Sequence, residues 1–227
     1  MVGRGRRLGI AALVVASLGL ALAIGGFACL RTAYGASTVG GSSMSPTYER
    51  GDRVFWEHVD GSEVRRGDVV MFRAPESYGV LDGLLMKRVI GVGGDRVVCC
   101  AHVGSRERVT VNGRPVEEPY VRGGDADGAH KPYDVTVPRG RLFLLGDYRA
   151  NSQDSRFHLD EQDGTVSADA VRGRVAGDRT APALLLAFTL VGGVLVLTGI
   201  GLGIGAWAVR RRRPVQVPPA PWPVRPV

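Results

Sequence analysis

The chain has 227 residues, with 29 Lys plus Arg against 22 Asp plus Glu and a formal net charge of +7. A hydrophobic content of 44% with mixed charge excludes a disordered chain, and three Cys exclude a disulfide-framed miniprotein. A net positive chain invites a nucleic-acid reading, but the placement of the charge removes it. Eight Arg (4, 6, 7, 210 to 213 and 225) lie outside the span Leu8 to Val209, which holds 21 basic and 22 acidic residues. The excess therefore sits beside apolar runs, and the body is neutral.

In chain order, residues 1–7 form a basic N-terminus and Leu8 to Leu30 is 23 residues without a charge. A spanning helix needs about 20 apolar residues, whereas a cleaved secretory signal has an apolar core of only about 7–15. The run is therefore expected to be a transmembrane helix over 8–30. Residues 31–180 then read as a β-rich domain. Strands are expected at Arg53–Trp56, Asp68–Arg73, Met86–Val92, Arg96–Cys100, Arg108–Val111, Tyr133–Val137 and Arg141–Leu145. Each is a short β-branched or alternating run bounded by Gly, Pro or Asp. Asn112-Gly113 is a hairpin signal, and Gly123 to Gly128 reads as a flexible loop. A second uncharged run, Ala181 to Val209, gives a second transmembrane helix over 181–209. Gly201 and Gly205 in it either support close helix contact or simply face lipid. Residues 210–227 form an Arg/Pro-rich tail, expected to be extended. Positive flanks favour the cytoplasm, which puts both termini inside and residues 31–180 outside.

No zinc spacing, phosphate loop or HExxH motif is present, and no metal or cofactor is expected. Cys99 and Cys100 are adjacent. Neighbouring cysteines rarely adopt disulfide geometry, so their redox state is open at this level. The four His sit in loop-like contexts without a partner motif.

Three segments carry candidate chemistry. Gly40 to Thr47 (GGSSMSPT) presents hydroxyls on a glycine-loosened turn. Met86 to Gly91 (MKRVIG) places Lys87 on an apolar strand, in a chain with only two Lys among its 29 basic residues. Arg stays protonated, but a desolvated Lys can become neutral and act as a base. Gly146 to Arg156 (GDYRANSQDSR) follows an apolar strand and is dense in hydrogen-bonding side chains.

Together these segments resemble bacterial type I signal peptidases, membrane-bound Ser–Lys endopeptidases. The blocks occur in the family's order: Ser43-Met44-Ser45-Pro46-Thr47, Arg66 to Val70, Lys87 to Asp95, and Gly146 to Arg156. The resemblance covers about Val39 to Val175. It implies a mainly β fold, with an all-β extracytoplasmic catalytic domain flanked by two transmembrane α-helices. It implies Ser43 as nucleophile, Lys87 as general base and Ser152 as the hydroxyl that orients the Lys amine. Asp147, Asp154, Arg88 and Arg156 would support the site, and Gly41, Ser42 and Met44 would line the oxyanion and substrate region. The substrates implied are signal-peptide-bearing preproteins, cut after small residues of the Ala-x-Ala type. The lipid bilayer is a partner and the export translocon a further candidate. Nucleic acid is not.

Departures from the family pattern are specific. Gly41 stands where some members have a Ser that donates to the oxyanion. Tyr148 and Ala150 replace Asn and Asp often found in the last block. The second apolar run is C-terminal, whereas better-known two-anchor members carry both before the catalytic domain. The competing readings are a Ser–Lys processing peptidase for a dedicated substrate, a protease pairing Ser43 with His158, and a non-catalytic membrane scaffold. The segment Tyr78 to Met86 is apolar for an external loop and is expected either to face lipid in part or to pack Leu84 and Met86 into the core.

Overall fold

The computed structural model describes residues 2–79, 83–178 and 180–211. The expected tail beyond residue 211, and residues 80–82 of the apolar Tyr78 to Met86 segment, lie outside the described residues. The protein is mainly β, with a long apolar helix at each end. In chain order the elements are α1 (Val2–Ala33), β1 (Tyr34–Thr38), β2 (Arg53–Glu57), β3 (Val69–Arg73), β4 (Leu84–Val92), β5 (Arg96–Val103), β6 (Arg106–Val111) and β7 (Arg114–Pro115). They continue with β8 (Tyr133–Thr136), β9 (Arg141–Leu145), β10 (Val166–Ser167), β11 (Val171–Val175) and α2 (Thr180–Arg211).

All seven expected strands form, as β2 to β6, β8 and β9. Four more were not anticipated. β7 and β10 are two residues each, too short to show a period. β1 reads Tyr-Gly-Ala-Ser-Thr, a run of small residues with little strand character, yet it pairs along its whole length with β2. Gly35 explains the composition. A Cβ there would fall 2.2 Å from the indole of Trp56, so the ring lies flat against the strand.

The strands make two antiparallel sheets, ordered β1-β2-β11-β3-β4-β9-β10 and β7-β6-β5-β8. Alternation along each strand sends neighbouring side chains to opposite faces. Phe143 and Leu145 of β9 therefore join Val97, Val109, Tyr133 and Val135 of the smaller sheet in one core. Leu142 and Leu144 pack on the other face with Val70, Phe72 and Val89. A third cluster gathers Met44, Val54, Trp56, Val69 and Met71. Burial on both faces is why β3 and β9 read as unbroken apolar runs rather than alternating ones.

Asn112 and Gly113 form the β6–β7 turn, both at positive φ (53° and 75°), as the dipeptide requires. Cys99 and Cys100 are disulfide-bonded to one another, at the register shift between β5 and β6. The segment Gly123 to Gly128, read as flexible, is pinned. Arg149 donates to the Ala126 carbonyl and Arg156 to the Asp127 carbonyl.

The two helices form a unit of their own and are each long and apolar enough to cross a membrane. Their backbones touch through Gly19, Gly26, Gly192 and Gly199. A Cβ on Gly192 would meet the Ala23 amide nitrogen at 2.5 Å, and one on Gly199 would meet Ala16 at 2.7 Å. Gly201 and Gly205 have nothing within 4 Å, so the contact uses a different stripe of small residues from the Gly201/Gly205 pair.

Candidate active site

The site is built where β4 and the end of β9 meet the loop between β1 and β2. That loop is tied at its base by Val39 N–H to the Asp52 carbonyl (2.9 Å) and Gly51 N–H to the Val39 carbonyl (2.8 Å). Within it, Ser45 N–H donates to the Ser42 carbonyl at 3.1 Å, which turns the chain tightly around Ser43. Met44 is 1% exposed and anchors the turn in the core with Val54 and Met71. Ser43 is thereby held at the surface of the turn, half-buried, next to a fixed hydrophobic plug.

Lys87 lies in the middle of β4, opposite Val70 of β3, and is 3% exposed. Its Nζ donates to Ser43 Oγ at 2.8 Å. Among the described residues no carboxylate comes within ion-pair distance of it. Burial pulls its pKa down from 10.5 to about 8, against the attraction of Asp154 and Asp147 and helped by Arg156. The amine is therefore poised to lose its proton close to neutral pH.

The supporting carboxylates form two buried pairs. Asp147 and Asp154 are both 0% exposed. Arg88 grips Asp147 with two hydrogen bonds (2.8 and 2.6 Å), donates to the Gly67 carbonyl at 2.9 Å and lies 3.8 Å over the Tyr120 ring. Arg156 grips Asp154 with two more (2.8 and 2.9 Å) and donates to the Arg149 carbonyl at 2.7 Å. Asp154 in turn accepts the Gly146 N–H at 3.1 Å. Bidentate Arg–carboxylate pairs fix geometry as well as charge. They hold the turn after β9 against β4 and against the β1–β2 loop, where Tyr148 N–H donates to the Ser43 carbonyl at 3.0 Å.

All ten expected site residues thus fall in one region, but two details differ from the expected picture. Ser152 is 5% exposed and its Oγ has no hydrogen-bond partner among the described residues, so a bond to the Lys87 amine is not formed. A Cβ at Gly146 would fall 2.3 Å from Ser152 Oγ and 2.5 Å from the Ser43 carbonyl, so Ser152 and Ser43 lie on either side of this glycine. Ser42 is engaged by the turn after β9. Its Oγ accepts from Asn151 Nδ2 at 2.8 Å. Three further residues join the network unanticipated. Thr47 donates to Asp147. Arg149 (1% exposed) pairs with Glu118 and donates to the Gly146 carbonyl at 3.0 Å. Thr47 and Arg149 lie inside the quoted sequence blocks, whereas nothing singles out Glu118 among 22 acidic residues. His158 stacks on Tyr78 at 4.0 Å.

Beside Ser43 runs a mainly apolar cleft of about 250 Å³, walled by Thr38, Val39, Val54, Met71, Leu84 and Met86 and floored by Gly41, Ser43 and Met44. The arrangement sets a hydroxyl against a buried amine of lowered pKa, beside an apolar cleft.

The fold and site thus define a β domain with a buried Lys against a Ser hydroxyl, carried on a chain with two membrane-length helices. The model of the family described as signal peptidase, peptidase S26, matches residues 9–177, and the chain belongs to that family. It is 32% identical over 163 residues to a probable signal peptidase I of Mycobacterium leprae (53% of this chain, 55% of the relative). It is 33% identical over 181 residues to a signal peptidase I of Mycobacterium tuberculosis (58% and 60%). It is 34% identical over 152 residues to a signal peptidase I of Bacillus caldolyticus (60% and 74%). The matched region spans little more than half the length of the mycobacterial relatives.

Proposed function

We propose that this chain is a membrane-anchored serine endopeptidase that removes N-terminal signal peptides from exported preproteins, with Ser43 as nucleophile and Lys87 as general base. The observation that carries the reading is the 2.8 Å contact from a buried Lys87 amine to Ser43 Oγ. Family membership supports the substrate class.

In the first step the neutral Lys87 amine takes the Ser43 proton as Oγ attacks the scissile carbonyl. The new oxyanion is held by the Ser43 backbone N–H, with Gly41 adding no side-chain donor. Collapse expels the leaving amine, which receives the proton back from Lys87. Water, deprotonated by Lys87, then attacks the Ser43 ester, releasing the signal peptide and restoring the hydroxyl. Ser152 steadies the Lys87 amine once the Ser43 proton is in flight. Asp147, Asp154, Arg88 and Arg156 hold the platform on which these atoms meet. The substrate lies extended along the cleft, whose Val, Met and Leu walls take small residues in Ala-x-Ala spacing and exclude large ones.

The domain plan that goes with this function is a cytoplasmic residue 1–7 segment, a crossing over 8–30, an extracytoplasmic peptidase over 31–180, a return crossing over 181–209 and a cytoplasmic tail over 210–227. The Arg clusters flanking both apolar helices support it. It places the catalytic pair where a signal peptide leaves the bilayer, beside the export translocon.

The deciding experiment compares the full chain in detergent micelles with Ser43→Ala and Lys87→Ala on a preprotein carrying an Ala-x-Ala signal. Each variant should lose at least about 10²-fold in rate. Cleavage at the wild-type rate by either one would sink the assignment.

A further inference from the structure

We propose that Asn151 is a positioning residue for the nucleophile, acting through Ser42. The proposal rests on the Ser–Lys peptidase reading above and adds a residue outside the dyad. Asn151 Nδ2 donates to Ser42 Oγ at 2.8 Å, joining residues 109 apart in the chain. Ser42 immediately precedes the nucleophile in the β1–β2 loop. Asn151 ends the short turn Arg149–Asn151 that follows β9.

The turn also grips the loop by main chain. Tyr148 N–H donates to the Ser43 carbonyl at 3.0 Å, and the turn itself is closed by Asn151 N–H to the Tyr148 carbonyl at 2.9 Å. Ser43 is thus tied by main chain and Ser42 by side chain. Between the two ties lies the Ser42–Ser43 peptide, whose N–H is the oxyanion donor left when position 41 lacks a side chain. The Ser42 carbonyl of that peptide already accepts the Ser45 N–H at 3.1 Å from within the loop, and the Asn151 bond is what ties its Ser42 end to the turn after β9. An oxyanion donor is effective only when it is aimed before the charge develops.

The glycines upstream make the second tie matter. A Cβ at Gly40 or at Gly41 would meet nothing within 4 Å, so no side-chain packing restrains the loop there. Ser42 is the first position before the nucleophile whose side chain can be fastened, and Asn151 is what fastens it. A hydrogen bond between partly exposed side chains adds little to global stability. Its loss should therefore separate aim from folding.

The test uses the full chain in detergent micelles with an Ala-x-Ala preprotein. Asn151→Ala should lower kcat by about five- to twentyfold with KM, unfolding temperature and the kcat–pH midpoint unchanged. Ser42→Ala should lower kcat equally, and the double variant should fall no further than either single one. Ser42→Thr keeps the accepting hydroxyl and should stay within about twofold of wild type. A kcat for Asn151→Ala within twofold of wild type, or losses that multiply in the double variant, would overturn the proposal. If wild type cleaves nothing, or Ser43→Ala still cleaves, the peptidase reading fails instead. Amide hydrogen exchange then judges the tie alone. Faster exchange confined to residues 40–46 in Asn151→Ala supports it, and unchanged exchange there refutes it.

Discussion

Lys87 and Arg88 are consecutive on β4 and both buried, at 3% and 9% exposure, yet they carry opposite chemistry. Burial works against the charge of each. On Arg88 the two hydrogen bonds and the charge of Asp147 outweigh burial, and its pKa is pushed up. On Lys87 burial outweighs the more distant Asp154 and Asp147, and its pKa falls to about 8. The difference is one of partners, not depth. Alternation along the strand delivers one side chain to a carboxylate and the next to a hydroxyl. A single strand thereby supplies a permanent cation to the framework and, beside Ser43, an amine whose proton is easily lost.

The largest effect should come from erasing that difference. Lys87→Arg keeps the positive charge and nearly the length but cannot shed its proton. It should cost about 10²–10⁴ in kcat, read on the preprotein substrate. A variant with Arg at 87 that still cleaves at an appreciable rate would mean that charge, not basicity, is what the site needs.

The pH profile asks the same question without a mutation. Only the neutral amine accepts the Ser43 proton, and it predominates above about 8. Activity should therefore be full above that pH and fall about tenfold for each pH unit below it, provided chemistry limits the rate. A profile flat from pH 5 to 9 would contradict a Lys base.

A smaller effect belongs to stability. With its folded pKa below the unfolded value, Lys87 destabilises the fold below about pH 8, where the buried amine must be charged. That penalty disappears as pH rises through the ordinary value of 10.5. The shift from 10.5 to about 8 corresponds to about 3 kcal/mol. Lys87→Met removes the charge at similar volume and should raise unfolding free energy by about 1–3 kcal/mol at pH 6, with the gain shrinking toward pH 10. Urea titrations at both pH values measure it. Arg88→Met should do the reverse, because it leaves Asp147 buried without its partner.

How far these features are readable in sequence follows from how local their causes are. Lys87 stands out because the chain otherwise writes Arg, and Ser43 because its block is compact and ordered with the others. The strands with β-branched runs are legible for the same local reason. β11 alternates inward Val171, Gly173 and Val175 with Arg172 and Arg174, a period-2 signal that is legible in the sequence. β1 is not legible, since its small residues are there to let Trp56 lie against Gly35. Glu118 is silent because its partner Arg149 is 31 residues away. Gly192 and Gly199 cannot be told from Gly201 and Gly205 by pattern, because small residues occur all around α2. The Asn151–Ser42 tie is a contact between two ordinary polar residues, visible only once the turn after β9 meets the nucleophile loop.

The smallest expected effect sharpens the comparison from the oxyanion side. Gly41 leaves open space where a Cβ would meet nothing within 4 Å, so Gly41→Ser is sterically free. Its hydroxyl would add a second donor near the developing charge without touching the surroundings of Lys87. The kcat should rise by about two- to tenfold while the pH midpoint stays where Lys87 burial sets it. Should kcat instead fall with the midpoint unmoved, the space above Gly41 serves the close approach of the substrate backbone. Base strength and oxyanion stabilisation are then separately adjustable in this site, the first through the depth of β4 and the second through the loop that precedes Ser43.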